Sequence, residues 1–328
     1  MTRERITTYG LFCLPGFIAY CVFLIFPILM GIYYSFMDWN GISKSYNFIG
    51  FANYAKLLTD KKFGEALLFN FRYSIMLIVG VVVISVVLAL LLNKEFKGRS
   101  FFRTLYFLPA VLSMITVSLV FKQVFFYVLP AIGKALGIEA LSTNILASKQ
   151  NAIYGVLFVH LWQGVALPTL LFLAGLQTIP TELYEAAAID GANGWQQFKH
   201  IILPGIKTIL VLNVILSITG SLSAFEGPYV ITSGANGTAT YFVRMDRLAH
   251  TSQKVGLASA MAIVLLIIIL ICALLQNLFF KYVFKDADDG VEKARKQAAK
   301  IERQRARMAR KNASVFKNGP SNKEKAVA

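Results

Sequence analysis

Residues Tyr184–Gly205 read YEAAAIDGANGWQQFKHIILPG, a polar stretch between two long apolar runs. Just ahead of it, Thr181 is a candidate N-cap, with Glu182 and Glu185 in the first turns, where the helix dipole favours acid. The run LYEAAAID is strongly helical, since alanine has the best propensity. Gly191 falls where a left-handed residue closes a helix. Asn193 is placed to start a second helix, WQQFKHIIL. Pro204 and Gly205 are expected to break or bend the chain as apolar sequence resumes. The expectation is two short helices at an angle, tethered at both ends.

The runs on either side define the surroundings. Of the 328 residues, 56% are hydrophobic and the mean hydropathy is +0.60, against roughly 45–50% apolar residues in soluble domains. A membrane-spanning helix needs roughly 20 mostly apolar residues. Six stretches qualify: Leu11–Tyr34, Phe69–Leu92, Thr104–Phe126, Ala152–Leu176, Ile206–Ile231 and Val255–Phe280. In lipid the backbone must bond to itself, so these are helices. The fold class is all-α, a polytopic membrane protein with six transmembrane helices. The first span is too long for a secretory h-region and is expected to be a retained anchor. Cys13, Cys21 and Cys272 all lie in apolar runs and form neither a disulfide framework nor a metal-ligand spacing.

The net charge of +16 is uneven. Between Lys281 and Ala328 there are fourteen Lys/Arg and six Asp/Glu, a surplus of eight and half of the total. A basic total can mark a nucleic-acid binder, but here the excess sits in a terminal tail and in short loops beside apolar spans. That is the positive-inside pattern, and no nucleic-acid partner is expected. Arg3 and Arg5 precede span one, and the loop 93–103 carries Lys94, Lys97, Arg99 and Arg103. With six spans, these segments and the tail share one side, the cytoplasmic face of a bacterial cell membrane, with both termini inside. The Tyr184 hairpin then also faces the cytoplasm. Residues 37–70, 127–151 and 232–254 face outward. DWNGISKSYNFIGFANY reads as a packed loop leading to a short helix, YAKLL. Residues 1–10 form a cytoplasmic N-terminus, 11–283 the transmembrane domain and 284–328 a basic tail expected to be largely disordered, with a helix possible over ARKQAAKIERQRARMARK. The tail is either plainly solvated or touches anionic lipid.

No phosphate-binding G-x4-G-K-[ST] loop occurs, so no ATP hydrolysis by this chain is expected. His160, His200 and His250 lack a zinc spacing, and no nucleophile elbow is present. Neither a cofactor nor a metal is expected. Glu226 and Asp246 are read as solvated loop residues. An intramembrane enzyme or scaffold using the hairpin for docking is the alternative class.

On composition the hairpin is either a handle gripped by a partner or an amphipathic helix resting on headgroups. Its residue order resembles a family. Glu185-Ala186-Ala187, three residues, Gly191, nine residues, then Ile201-x-Leu203-Pro204 is similar to the EAA loop of ABC importer permeases. The resemblance implies the type I ABC importer permease fold, with residues 181–205 as the loop. Its first helix is the coupling helix in that family and docks on an ATP-binding subunit. Glu185, Ala186, Ala187, Asp190, Gly191, Ile201, Leu203 and Pro204 are then the coupling residues. IGFANYAKLLTD and GRSFFRTLYFLPAVLS look like the F-type permease subunit of maltose-like sugar transporters. AFEGPYVITSGANGTAT is similar to its span-five exit, but Ser233–Asn236 departs from the usual GGP, which leaves that loop less constrained. The resemblance covers residues 10–283. It implies a second homologous permease, two ATP-binding subunits, an extracytoplasmic solute-binding protein and a carbohydrate substrate. Glycerol phosphate or an amino acid is the other cargo considered.

Polar residues inside spans face an interior or a cavity. Span four carries His160, Gln163 and Gly164 on one face, and span five carries Asn213, Ser217 and Ser221 with Gly220 beside them. His160, Gln163, Gly164, Ser217, Gly220 and Ser221 are candidate substrate-path residues, and the maltose-like family is similar in placing sugar contacts on these two spans. Trp162, Phe225 and Tyr229 offer stacking faces. The other reading of the same stripes is interhelical packing, for which Ser, Gly and Asn at four-residue spacing are common.

Overall fold

Apolar sequence in a bilayer satisfies its backbone internally, and the computed structural model does this almost entirely with helix. It describes residues 3–284, with side chains from residue 12. The tail 285–328, with the helix expected in it, lies outside the described residues.

The first span, α1 (Phe12–Ser35), buries none of its apolar window against the rest of the chain. After it, β1 (Met37–Asp38) pairs antiparallel with β2 (Asn47–Phe48), Met37 opposite Phe48. Aromatic rings pack around this ladder, Tyr34 stacking on Trp39 with centroids 4.2 Å apart. Helix α2 (Ala52–Thr59) follows, and its Asn53 donates from Nδ2 to the carbonyls of Ser35 and Met37, each at 2.9 Å. This is the packed loop and short helix expected of the sequence.

Helix α3 (Lys61–Asn93) starts two turns before the expected Phe69. Asp60 caps it, its carboxylate accepting from the Lys62 backbone N–H at 2.9 Å. Hydropathy finds only the apolar part of a helix, and KKFGEALL is helical without being apolar. The expected third span, Thr104–Phe126, is two helices, α4 (Arg99–Val111) and α5 (Met114–Leu136). Leu112 and Ser113 between them are extended. Pro109 lacks an N–H and crowds the preceding turn, and Ser113 takes the cap position of α5. The membrane-crossing helix therefore lies ten residues further along the chain than hydropathy places it.

The fourth span is broken into α6 (Ala152–Gly164) and α7 (Ala166–Leu176), bent by 42°. Pro168 lacks the N–H that would bond the Gly164 carbonyl. The neighbouring Val165 carbonyl accepts from the Ser85 hydroxyl at 3.1 Å and the Thr169 hydroxyl at 2.6 Å. The hairpin follows as α8 (Thr181–Ile189) and α9 (Gly194–Gly205), and α9 meets α10 (Lys207–Leu222) at 72°. The expected span Ile206–Ile231 thus ends at Leu222, and α11 (Glu226–Thr232) continues after a break. Carbonyls freed there are satisfied by buried side chains. Asn70 Nδ2 donates to Leu222 O at 3.0 Å, and the Thr240 hydroxyl donates to Ala224 O at 2.7 Å.

The loop after α11 is not loosely constrained, contrary to expectation. Ser233, Gly234, Asn236 and Gly237 all have positive φ. The hydroxyls of Thr232 and Thr238 pair at 2.6 Å, and Asn236 Nδ2 donates to Leu146 O at 2.7 Å. Asn236 and the glycines adopt left-handed backbone at low cost. Helices α12 (Tyr241–Asp246) and α13 (Val255–Val283) complete the described chain. Among the described residues, four helices, α1, α3, α5 and α13, are long and apolar enough to cross a bilayer, and counting each bent pair as one span brings the number to six.

Helix α3 is the centre. Tyr73, Leu77 and Val81 join one cluster with Val156, Val159 and Val165, while Phe63 joins another with Tyr241, Met261 and Leu265. Between helices in lipid there is little hydrophobic drive, so close packing and buried hydrogen bonds hold the bundle. The described residues from Asn277 onward belong to a second unit, in which Phe280 stacks on Phe284 at 6.0 Å.

Candidate functional site

The hairpin is built by its caps. Pro180 occupies the N-cap of α8, with φ −58° and ψ 136°, and Thr181 is the first helical residue rather than the cap. A proline with its fixed φ makes this entry without a side-chain bond. At the other end Gly191 has φ +75°. Its N–H donates to Ala188 O at 3.1 Å, and Ala192 N–H donates to Ala187 O at 2.8 Å. This pair of bonds is the Schellman closure that requires a left-handed residue. Asn193 then starts α9 with a reciprocal box: its Oδ1 accepts from Gln196 N–H at 2.9 Å, and Gln196 Oε1 accepts from Asn193 N–H at 2.8 Å. Pro204 does not break α9. A wide turn over Phe198–Ile202 precedes it, and the bend falls at Ile206.

Glu185, Ala186, Asp190 and Gly191 are exposed on this hairpin, while Ala187, Ile201, Leu203 and Pro204 are half-buried. Neither Glu185 nor Asp190 has an ion-pair partner among the described residues. The sequence reading missed two apolar side chains beside them, Ile189, 86% exposed, and Trp195, 70% exposed. Trp195 stacks on Phe198 with centroids 5.5 Å apart. The base of the hairpin is tight. A Cβ on Gly205 would lie 2.7 Å from Ile179 Cδ1, and one on Gly175 would collide with Ile209 Cδ1. The two ends of the hairpin are thus packed closely where they join α7 and α10.

Those two spans line a cleft of about 770 Å³. All six residues expected on the substrate path border it: His160, Gln163 and Gly164 from α6, and Ser217, Gly220 and Ser221 from α10. Nothing lies within 4 Å of where a Gly220 Cβ would be, so that wall is open. Gln163 is already engaged: its Nε2 donates to Leu112 O at 2.5 Å, satisfying the carbonyl freed by the break before α5. Ser221 donates to Ile218 O at 3.1 Å. Asn213, of the same stripe, is fully buried and also lines the cleft. Its Nδ2 donates to Ile209 O at 3.0 Å, but its Oδ1 has no partner among the described residues. An orphaned buried acceptor costs about 1–3 kcal/mol.

The structure also corrects the site. Phe225 borders the cleft, but Trp162 and Tyr229 do not. Trp162 instead packs edge-on against Phe121 at 5.2 Å. Glu226, read as a loop residue, lines the cleft at the N-terminus of α11. Leu77 and Val81 of α3 and Phe107, Ala110 and Met114 of α4–α5 complete the walls named by no polar signal. Among the lining residues none is Lys or Arg, and Glu226 is the one acid.

Residues 81–285 match the sequence model of the binding-protein-dependent transport system inner membrane component family. The chain is 43% identical over 267 residues to the multiple sugar-binding transport system permease protein MsmF of Streptococcus mutans, covering 81% of this chain and 92% of that protein. It is 36% identical over 290 residues to the probable ABC transporter permease protein YurN of Bacillus subtilis, covering 86% and 98%. A bacterial ABC transporter involved in the import of the acidic polysaccharide alginate superposes with a TM-score of 0.75 over 85% of this chain and 97% of that one, at 21% identity, a likeness of fold. A membrane-crossing bundle with a capped hairpin between two bent spans, matched over more than half its length by one family, belongs to that family: the chain is an inner membrane component of a binding-protein-dependent transport system, a multi-pass ABC transporter permease.

Proposed function

We propose that the chain is the permease of an ATP-driven importer of sugars or oligosaccharides. In this reading α8 is the coupling helix, docked on a separate ATP-binding subunit through Glu185, the Ala186–Ala187 pair, Asp190 and Gly191. A second homologous permease carries the matching handle, and a pair of ATP-binding subunits sits below. An extracytoplasmic solute-binding protein delivers cargo to the opposite end. ATP closes the motor pair and draws the handles together. The tight Gly175–Ile209 and Gly205–Ile179 approaches pass that motion into α7 and α10, and the cleft opens outward. Hydrolysis reverses the step. The cycle is driven by the different affinities of the two states for ATP and binding protein.

The observation that carries the cargo reading is the cleft itself. It is lined by hydroxyl, amide and imidazole groups, an open glycine wall and the Phe225 ring, with no cation. Neutral polyhydroxyl compounds suit such a lining. A phosphate ester would meet Glu226 and no Lys or Arg, which counts against glycerol phosphate. The name of the relative MsmF, a multiple sugar permease, supports the same class.

The test is uptake by the assembled transporter in proteoliposomes. Replacing Glu185 by Ala should reduce ATP-dependent uptake of a neutral oligosaccharide by roughly 10-fold or more while membrane insertion is unchanged, since a charge-assisted contact contributes about 1.5–3 kcal/mol. Undiminished uptake with Glu185→Ala overturns the coupling role. Uptake of sugar phosphates in preference to neutral sugars overturns the cargo class.

A further inference from the structure

We propose that Tyr73 is a positioning residue that fixes which ring nitrogen of His160 carries the proton, so that His160 presents Nε2–H to the cleft as a donor for cargo. The role in transport rests on the reading of the cleft as the cargo path.

Tyr73 sits on α3 and is fully buried. Its ring stacks on Phe69 at 5.9 Å, and its hydroxyl oxygen is 2.5 Å from His160 Nδ1. No other partner of that hydroxyl is found among the described residues. Tyr73 belongs to an apolar cluster with Leu77, Val156 and Val159, whose side chains cannot accept a hydrogen bond. A phenol has one proton to place, and in an apolar setting it needs an acceptor. Nδ1 accepts only when it is unprotonated. Were Nδ1 to carry the proton, it would donate to the phenolic oxygen and the phenolic hydrogen would be stranded. The neutral imidazole is therefore the Nε2–H form, with Tyr73 donating to Nδ1. His160 belongs to the cleft lining, and its Nε2 takes no partner from the described residues. Gly164, one turn further along α6, adds no side chain to the cleft wall beside the ring; even a Cβ there would lie 3.9 Å from His160 Cδ2. A sugar hydroxyl or ring oxygen is the acceptor that an Nε2–H in the cleft fits.

The chain has three histidines, which makes the tautomer observable. Full-length protein labelled with 15N-histidine in lipid nanodiscs, within the assembled transporter, should show His160 with a pyridine-type Nδ1 and a pyrrole-type Nε2, assigned by the signal lost in His160→Gln. In Tyr73→Phe the two nitrogens should move toward a tautomer mixture. A protonated Nδ1 in the unmodified chain, or an unaltered spectrum in Tyr73→Phe, overturns the assignment. Uptake of maltose and trehalose supplies the functional arm. Tyr73→Phe should slow uptake by roughly 2- to 10-fold, the worth of one neutral hydrogen bond. In a His160→Gln background, whose amide donor needs no tautomer, Tyr73→Phe should add no further loss. Equal losses in both backgrounds mean that Tyr73 only holds structure, and overturn its role through His160. If the unmodified transporter takes up no carbohydrate at all, the cargo reading falls, and the spectrum alone decides the tautomer.

Discussion

Asn213 concentrates the tension between folding and transport at one residue. Its Nδ2 bonds back to the helix, while its Oδ1 is buried without a partner, and the side chain borders the cleft. Gln276 Oε1 is stranded in the same way away from the cleft, and what sets Asn213 apart is its place on the cleft wall. Asn213→Leu keeps the volume and removes the orphan. It should leave the thermal midpoint of the detergent-solubilised transporter unchanged or raised by a few degrees, because about 1–3 kcal/mol of desolvation penalty disappears. Sugar uptake should fall roughly 10-fold. A clear drop in thermal stability with normal uptake would mean that Asn213 serves the fold. Residue types alone drew attention to the stripe of Asn213, Ser217 and Ser221 and to His160 and Gln163, because polar groups inside spans are scarce. They did not separate Gln163, which is spent on Leu112 O, from His160, whose Nε2 has no partner among the described residues. That distinction depends on a helix break 51 positions away in the chain.

At the scale of elements, the caps at Gly191 and Asn193 were legible, the entry to α8 was misplaced by one residue from Pro180 to Thr181, and the breaks were not legible. Gly191 and Asn193 declare their roles through local chemistry, a left-handed closure and a side-chain box, each needing only a few neighbouring residues. The breaks at Leu112–Ser113 and Ser223–Phe225 lie inside sequence as apolar as the helices beside them. They are tolerated because Gln163, Asn70 and Thr240, remote in sequence, satisfy the freed carbonyls. Glu226 was misplaced for the same reason: with span five read as unbroken, its carboxylate falls at the membrane rim, and the break returns it to the cleft. The junction between α7 and α10 is another contact that only folding reveals. Gly175 admits Ile209 so closely that any side chain there displaces it. Gly175→Ala should overpack the junction, costing about 1–3 kcal/mol, and should lower both thermal stability and the uptake obtained per ATP hydrolysed. Ile209→Val removes the Cδ1 that collides, so the double variant should recover most of both losses. Losses that simply add in the double variant would show that this contact does not link the two spans.

For the whole molecule, the path of the chain and the arrangement of charge together carry a proposed sidedness. The loop with Lys94, Lys97, Arg99 and Arg103 and the hairpin at 181–205 are separated by two crossings, α5 and the bent pair α6–α7. They therefore share a face, and we propose from the concentration of cations at the first that this face is cytoplasmic. The β1–β2 ladder, one crossing before that loop across α3, belongs to the opposite face. A motor that consumes cytoplasmic ATP can reach the hairpin only in this orientation. Single cysteines at two exposed positions, Ser45→Cys beside the ladder and Lys199→Cys on α9, test it in a background lacking Cys13, Cys21 and Cys272. A membrane-impermeant maleimide added to intact cells should label Ser45→Cys and leave Lys199→Cys unmodified until the membrane is opened. The reverse pattern would place the handle outside the cell, beyond the reach of any ATP-binding subunit. The cleft between α6 and α10 would then need a different source of motion, because no segment of the loop 93–103 offers a capped helix tethered at both ends to the spans that line it.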